Sequence, residues 1–367
     1  MQNDPIRILL VDDSPLALAM LQRMLASAPG IEVVGTATNG RDAVELIPRL
    51  QPALICTDYH MPYMDGLKFT RHVMAHFPRP ILVISSAVGE ADTDMVFALL
   101  EAGAVDVFPK PRGGPEEIAV AAEQLIKKVR MVASVWIANQ LPTARPFFDA
   151  VPLPVGLPAT KPPPTPTRAV HSPRIIAIGA STGGPMALQT IFEQLPSRFA
   201  LPILCVQHIS SGFLPGLVSW LGSHCRGEIA IACDGEIPQP GHVYFPKENS
   251  HLVIDRKGSL QSSFEPPVEG HRPSVTVTFR SVAEYYGEAA IGVLLTGMGR
   301  DGGAGMQAMD QAGALTIAQD QTSCVIFGMP RDAIERGAAR AVLPLNDIAQ
   351  ALIEATSAPL SIARKQL

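Results

Sequence analysis

Short apolar runs alternate with amphipathic stretches along most of this chain. In the first half the apolar runs cover Ile6–Val11, Ile31–Ala37, Leu54–Thr57, Ile81–Ile84 and Ala104–Phe108. Runs of this length predict strands that are buried on both faces, as in a parallel sheet. The stretches between them repeat apolar residues at helical spacing, and Ser14-Pro15 and Asn39-Gly40 have the composition of helix starts. Successive strand–helix units predict a doubly wound domain.

The second half follows the same pattern with one exception. Arg174–Gly179, Pro202–Gln207 and Ala289–Thr296 predict buried strands. The segment Glu228–Ser263 is rich in β-branched residues and turn signals such as Pro240-Gly241, so it predicts antiparallel hairpins. The predicted fold class is therefore α/β, with two doubly wound parallel-sheet domains. The first is flavodoxin-like, and the second carries an antiparallel hairpin element.

A proline-rich segment separates the two halves. Ten prolines fall from Pro142 through Pro173. Proline lacks an amide donor and favours extended polyproline II, so such a segment acts as a semi-rigid spacer. We expect a first domain over residues 4–139, a linker over residues 140–173 and a second domain over residues 174–354.

Composition narrows the class of protein. Hydrophobic residues make up 47% of the chain and charged residues 17%, which suits packed cores rather than disorder. The net charge is -5 and no basic stripe is evident, so a nucleic-acid partner is not expected. The cysteines include no Cys-x-x-Cys pair, which argues against a zinc site or disulfides. The first residues lack signal-peptide features and no apolar run has bilayer-spanning length, so we expect a cytoplasmic protein without membrane insertion.

Charged and hydroxyl side chains follow four of the five strands predicted in the first half. Asp12 and Asp13 follow the first strand, Asp58 the third, Ser85 the fourth and Lys110 the fifth. All of these strand ends lie on the edge of a doubly wound sheet where ligands bind. Clustered carboxylates favour a bound Mg²⁺, and a carboxylate nucleophile beside a cation and a lysine can accept a phosphoryl group.

The motifs around these residues resemble the receiver domain of bacterial response regulators over nearly the whole first half. They are Val11-Asp12-Asp13-Ser14, Asp58-Tyr-His-Met-Pro-Tyr-Met-Asp-Gly66, Ile84-Ser85-Ser86 and Pro109-Lys110-Pro111. The resemblance implies that Asp58 is the phosphoacceptor, that Asp12, Asp13 and the His60 carbonyl join it around Mg²⁺, and that a histidine kinase is the phosphodonor. Ser85 and Lys110 would bind the phosphoryl oxygens. Many receivers carry an aromatic residue where this chain has Val107.

A serine, a histidine and an aspartate follow strands of the second half. Ser181 lies on a glycine-flanked turn, His208 follows the second strand and Asp301 follows a later strand. An aspartate that fixes an imidazole, which in turn takes the proton of a serine, is the arrangement of acyl-transfer enzymes. The chain order Ser, His, Asp differs from the order of α/β-hydrolases, which disfavours that fold.

Taken singly, these residues have other interpretations. The Ser181 turn could bind a phosphate, His208 could be a satisfied strand-end residue, and Asp301 could cap a helix. No G-x-G-x-x-G motif follows the strand, so a dinucleotide site is not supported.

The second half resembles the protein-glutamate methylesterases of bacterial chemotaxis, the CheB family. The matching motifs are Ile178-Gly-Ala-Ser-Thr-Gly-Gly184, Gln207-His208, His271-Arg-Pro-Ser-Val275, Leu295-Thr-Gly-Met-Gly-Arg-Asp-Gly302 and Ala318-Gln-Asp-Gln-Thr-Ser-Cys-Val-Ile-Phe-Gly-Met-Pro330. The resemblance implies Ser181 as the nucleophile, His208 as the base and Asp301 as its orienting carboxylate. It also implies that the backbone amide of Met298 stabilises the oxyanion and that Thr182 supports the site. His271, Arg272 and Ser274 would line the cleft. The family commonly has an aspartate where this chain has Thr276.

The resemblance also implies a function. Members of the family hydrolyse glutamate methyl esters on the cytoplasmic helices of chemoreceptors, with no cofactor for the esterase, and the family suggests deamidation of receptor glutamines. The unphosphorylated receiver is expected to cover the catalytic cleft. Two rival hypotheses remain open: a second half that binds without catalysis, and a general serine hydrolase for small esters.

Overall fold

A computed structural model describes residues 4–86, 90–140 and 172–357, with side chains described except at 90–94, 134–140 and 357. Residues 141–171, which make up most of the predicted linker, lie outside the described residues. No helix in the described part of the chain is both long and apolar enough to cross a membrane.

The first domain is a five-stranded parallel sheet with the strand order β2-β1-β3-β4-β5. Its strands are β1 (Ile6–Val11), β2 (Ile31–Ala37), β3 (Leu54–Thr57), β4 (Ile81–Ser85) and β5 (Asp106–Pro109). The prediction of a doubly wound sheet is confirmed, and the last strand begins two residues later than predicted. Strands β3 and β4 are buried throughout, because helices cover both faces of the sheet.

Four helices connect these strands and a fifth follows the last strand: α1 (Pro15–Ala26), α2 (Gly40–Leu50), α3 (Gly66–His76), α4 (Glu90–Glu101) and α5 (Pro115–Gln140). The predicted helix starts are confirmed. The side chain of Ser14 accepts a hydrogen bond from the amide of Ala17, and that of Asn39 accepts one from Asp42. These caps satisfy amides at the first turn, which fixes where each helix begins beside its strand end.

The second domain is built on a seven-stranded sheet with the order β14-β13-β12-β6-β7-β9-β8, in which every pairing is parallel. Its strands are β6 (Ile175–Ala180), β7 (Ile203–Gln207), β8 (Glu228–Ile231), β9 (His242–Phe245), β12 (Ala290–Leu294), β13 (Leu315–Gln319) and β14 (Ala341–Leu343). A separate antiparallel hairpin consists of β10 (His251–Ile254) and β11 (Leu260–Ser263).

The hairpin prediction for residues 228–263 is therefore right for only its second part. The strands β8 and β9 pair in parallel with each other and extend the main sheet beside β7. Residues 232–241 connect the two strands as a crossover. The pair Pro240-Gly241 indicates a turn but does not show whether the strands that it joins are parallel or antiparallel. Turn residues indicate where a chain bends and leave open which neighbour the strand pairs with.

Six helices cover this sheet: α6 (Gly184–Gln194), α7 (Leu214–His224), α8 (Val275–Tyr286), α9 (Gly303–Gln311), α10 (Met329–Glu335) and α11 (Leu345–Ser357). The central strands β6, β7, β12 and β13 are buried along their whole length. They end at one edge of the sheet, where the chain enters α6, α9 and the loops beside them.

Candidate active site

The ends of β6, β7 and β12 bring three catalytic candidates to one place. The strands β6 and β7 are neighbours, with Ala180 in register with Gln207, and the amide of His208 donates to the Ala180 carbonyl at 2.9 Å. On the other side, the amide of Ser181 donates to the Thr296 carbonyl at 3.0 Å. The serine, the histidine and the loop that leads to Asp301 therefore start from adjacent backbone positions.

The turn that carries Ser181 depends on glycine. Gly183 has a φ of 77°, a left-handed conformation that favours glycine. A Cβ on Gly297 would lie 2.7 Å from the Ser181 Cβ, so any larger residue there would displace the serine. The backbone of Gly297 is fixed in turn, since its carbonyl accepts hydrogen bonds from Gly328 and Met329. The loop that holds the Met298 amide is thus packed directly against Ser181.

Asp301 is buried and accepts hydrogen bonds on both of its oxygens. Oδ2 accepts from Nε2 of His208 at 2.8 Å and from the Val275 amide at 2.8 Å. Oδ1 accepts from the Ser274 hydroxyl at 2.8 Å and from the Thr276 amide at 3.0 Å. The two amides belong to the first turn of α8, where a helix stabilises negative charge.

These donors keep Asp301 ionised. Burial alone would raise the pKa of the Asp301 carboxyl, but the hydrogen bond and charge of His208 and the hydrogen bonds from Thr276 hold that pKa well below its usual range. A permanently ionised carboxylate is what an orienting partner of an imidazole requires.

The structure also indicates which nitrogen of His208 takes up a proton. Because Nε2 faces the ionised Asp301, the hydrogen-bond network assigns the ring proton to Nε2. Nδ1 is then the basic nitrogen, and it is buried with no hydrogen-bond partner in the part of the chain that the structure describes. In the chymotrypsin-type triad the two nitrogens have the opposite roles. The Ser181–His208 hydrogen bond is not made in this structure, and such bonds often tighten only with substrate bound.

Thr276 stands where the family commonly has an aspartate, and its side chain has a structural partner. Its hydroxyl accepts a hydrogen bond from the amide of Gly302 at 2.8 Å and is buried beside Asp301. A threonine therefore supports the turn after Asp301 without placing a second carboxylate next to the first.

The residues proposed to line the cleft have different surroundings. The ring of His271 stacks on that of His208, with 3.8 Å between centroids and 4° between planes. Arg272 donates to the carbonyl oxygens of Phe264 and Glu265. Ser274 is fully buried as the N-cap of α8 and holds Asp301, so it cannot form part of an open cleft wall.

Burial gives His271 a pH-dependent effect on stability. Burial lowers the pKa of His271 from 6.5 to about 4, and the neighbouring His208 adds to the effect. The unfolded chain takes up this proton near pH 6.5 and the folded chain only near pH 4, so stability falls as the pH drops through that window. The shift corresponds to roughly 3 kcal/mol at most.

We expect His271→Phe, which keeps a flat ring on His208, to flatten this loss. The melting temperature of the variant should fall less than that of the wild type between pH 6.5 and 4. His76→Phe, which replaces an exposed histidine of α3, serves as the control. An unchanged slope in the His271 variant would contradict the assignment.

Thr182 contacts the first domain. It is buried, and its hydroxyl donates to Oδ2 of Asp106 at 2.6 Å. The same oxygen pairs with Nζ of Lys128 on α5 at 2.8 Å. We call these three residues the β5 contact. The resemblance implies a supporting role for Thr182 within the site, whereas its partner here lies in the receiver.

A second contact joins α4 of the receiver to α7. The ring of Phe97 stacks on Trp220 with centroids 5.0 Å apart, and the indole nitrogen donates to Glu101 at 3.0 Å. His224 lies 3.4 Å from the same carboxylate. We call these four residues the α4 contact. Near the β5 contact, Met298 and Ile326 pack into the hydrophobic cluster of the receiver. The first domain thus contacts the residue after Ser181, the loop around Met298 and the helix α7.

The receiver's carboxylates also converge. One oxygen each of Asp12, Asp13 and Asp58 lies within 4.8 Å of the others, close enough for one cation to bind all three. Nζ of Lys110 lies 2.7 Å from Asp12 and 2.7 Å from Asp58. Hard oxygen ligands of this kind fit Mg²⁺.

The pKa of the Asp58 carboxyl is shifted by its surroundings, as is common for reactive groups. Burial raises the pKa of its carboxyl, the hydrogen bond from Lys110 opposes that rise and the Asp12 carboxylate adds to it. Ser85 is buried at the end of β4, and the His60 carbonyl lies in the loop after β3, two residues from Asp58. Val107 and Phe108 belong to different core clusters, so they face opposite sides of the sheet, as expected from strand alternation.

These features define a class of protein: an α/β domain with a hydrolase-like serine, histidine and aspartate, in contact with a parallel-sheet domain that carries clustered carboxylates and a lysine. Comparison with known proteins agrees. The sequence profile described as CheB methylesterase matches residues 176–352, and the response regulator receiver domain profile matches residues 8–123.

Similar proteins match along nearly their full length. One, from Myxococcus xanthus, is named protein-glutamate methylesterase/protein-glutamine glutaminase 4; it is 41% identical over 97% of this chain and 98% of its own. Another with that enzyme name, from Syntrophus aciditrophicus, is 38% identical over 95% and 98%. The crystal structure of the Thermotoga maritima CheB methylesterase catalytic domain is 39% identical over 50% of this chain and 99% of its own, with a TM-score of 0.49. This chain belongs to the CheB methylesterase family.

Proposed function

We propose that this chain hydrolyses glutamate methyl esters on chemoreceptor helices and deamidates receptor glutamines, and that phosphorylation of its receiver activates it. The observation that carries the proposal is the buried Asp301–His208 pair, which lies at the end of the strand next to the one that leads into Ser181. The names of the relatives supply the substrate class.

The chemistry follows from this arrangement. Oγ of Ser181 attacks the ester carbonyl while Nδ1 of His208 takes the hydroxyl proton. The oxyanion of the tetrahedral intermediate accepts hydrogen bonds from backbone amides, including that of Met298. His208 returns the proton to the departing methoxy group, and methanol leaves. A water molecule, deprotonated by His208, then cleaves the acyl-enzyme to give glutamate and free Ser181.

The same steps serve a glutamine substrate. The departing group is then ammonia, formed when His208 protonates the amide nitrogen. Both reactions give a glutamate side chain, so one site can support the two activities in the names of the relatives.

The receiver would accept its phosphoryl group on Asp58 from a histidine kinase. Asp12, Asp13, Asp58 and the His60 carbonyl would hold Mg²⁺, which would offset the charge of the transferring phosphoryl group. Lys110 and Ser85 would bind phosphoryl oxygens. Lys110 now pairs with Asp12 and Asp58, so phosphorylation changes its partners at the end of β5. The strand β5 also carries Asp106, which ties the phosphoryl site to the β5 contact.

The β5 contact gives Thr182 a role that differs from oxyanion support. If Thr182 holds the receiver in place, both Thr182→Val and Asp106→Ala should raise activity in the absence of a phosphodonor by roughly 10-fold. The reason is that each variant loses a hydrogen bond to a charged group that exists only while the receiver is closed over the esterase domain. Activity after phosphorylation should stay near that of the wild type. Glu32→Ala, on the edge strand β2, is the control.

Initial rates of methanol release with and without phosphodonor decide between the two roles. A Thr182→Val protein that is slower after phosphorylation, with no gain before it, would restore the supporting role and contradict the β5 contact.

Methanol release from methylated receptor membranes tests the function itself. We expect release by the full chain, an increase when a small phosphodonor and Mg²⁺ are added, and no increase for Asp58→Asn. No release under any condition would favour a binding module without catalysis. Efficient cleavage of p-nitrophenyl esters with no action on receptors would favour a general serine hydrolase.

A further inference from the structure

Gln207, the last residue of β7, joins the main chains of the nucleophile and the base. Its side-chain Nε2 donates to the Ser181 carbonyl at 2.8 Å and to the His208 carbonyl at 2.8 Å. The residue is 3% exposed, so water scarcely competes for these two bonds. Both acceptors belong to residues that the reaction requires, although neither carbonyl takes part in it.

These bonds lie where the sheet stops holding the two segments together. The ladder between β6 and β7 ends with the pair Ala180 and Gln207 and the hydrogen bond from the His208 amide to Ala180. Beyond it, the chain at Ser181 turns into α6 and the chain at His208 enters a loop. The Gln207 amide therefore adds two bonds past the last rung of the ladder.

Packing alone does not call for glutamine at this position. Oε1 of Gln207 is buried and has no hydrogen-bond partner among the described residues. A Cβ on Gly184 would overlap this oxygen, so the amide is confined against the first residue of α6. An apolar side chain of similar size would fill the space without burying an unpaired oxygen.

We propose that Gln207 is a positioning residue for acyl transfer, an inference that rests on the proposed function. By binding both carbonyls through one nitrogen, it fixes the separation of the Ser181 turn from the His208 loop. That separation sets the distance between Oγ of Ser181 and Nδ1 of His208, across which the proton passes. Without it no hydrogen bond in the described part of the chain holds the Ser181 carbonyl to the His208 segment beyond the last rung of the ladder, and a displacement of about 1 Å costs on the order of 10²-fold in rate.

Two variants remove this link in different ways. Gln207→Met keeps the size of the side chain and removes its donors, whereas Gln207→Asn keeps the amide and is too short to reach both carbonyls. The matched control is Thr278→Val, which removes a buried hydrogen bond of 2.7 Å to the Leu252 carbonyl. Each full-length protein is activated with a phosphodonor, and kcat, KM and the melting temperature are measured. A fluorophosphonate probe, which labels an activated serine, reports the reactivity of Ser181 without a receptor substrate.

We expect both Gln207 variants to lose roughly 10- to 100-fold in kcat and in the rate of labelling, with KM nearly unchanged. Thr278→Val should lose stability and keep its kcat. A folded Gln207 variant with wild-type kcat and labelling overturns the proposal, as does an equal loss of kcat in Thr278→Val, a change confined to KM, or failure of both Gln207 variants to fold. If the wild type releases no methanol, the proposed function fails, yet the labelling rates still decide the role of Gln207.

Discussion

Replacing Ser181 by alanine lowers methanol release from methylated receptor membranes by about 10⁴-fold or more, because the variant has no group to form the acyl-enzyme. The loss should appear in kcat, with receptor binding retained, since the side chain removed is small and the turn is held by backbone hydrogen bonds to Thr296 and Gly184. The melting temperature should change little for the same reason.

Ser281→Ala is the matched control for this change. Its hydroxyl donates to the Thr278 carbonyl and accepts from the Ile254 amide, within the same domain and away from the reacting groups. Methanol release by Ser181→Ala within tenfold of the wild-type rate would remove the serine from the mechanism and, with it, the proposed esterase chemistry.

Replacing Asp301 by asparagine has the second large effect. The amide of asparagine would turn a donor toward His208 or toward the α8 amides, all of which donate to the carboxylate. His208 would then lose the partner that keeps its proton on Nε2, and rates fall by about 10⁴-fold when the triad aspartate is changed in this way. Stability should fall as well, because buried donors lose a charged acceptor.

The control for Asp301→Asn is Asp332→Asn, which removes the pairing of a carboxylate on α10 with Arg336. Both kcat and the melting temperature are measured for the two variants. Wild-type kcat in Asp301→Asn would show that His208 needs no ionised partner. The hydrogen-bond donors that surround Asp301 would then serve folding and not catalysis.

The sequence predicted most of the fold because the dominant signals were local. Runs such as Leu54–Thr57 are apolar without interruption, and Ser14 and Asn39 have side chains that cap the helices that follow them. The path of residues 228–245 was not predicted correctly, since the choice between a hairpin and a parallel crossover depends on which strand lies alongside. The deciding pairing is that of β9 with β7, and β7 ends at Gln207, whereas β9 begins only at His242.

The sequence was enough to predict which residues form the candidate site, but it predicted few of the contacts between them. Ser181, His208 and Asp301 follow strand ends that the topology places at one edge, which the alternation of strands and helices already indicates. The choice of Nδ1 as the basic nitrogen depends on the direction from which Asp301 approaches, and that is set by the first turn of α8. The β5 contact and the bonds of Gln207 have no pattern of their own, because each depends on packing between distant segments.

The hydrogen bond between Thr182 and Asp106 also bears on how the two halves can evolve. A receiver borrowed from another response regulator would bring its own residue to position 106, and it would pack against the esterase without fastening to the position after the nucleophile. Chimeras made by exchanging whole domains should therefore be active without phosphorylation, unless the residues at positions 106 and 182 are exchanged together. Asp106 belongs to the receiver by sequence, but selection on it would come from the esterase residue that it binds, Thr182.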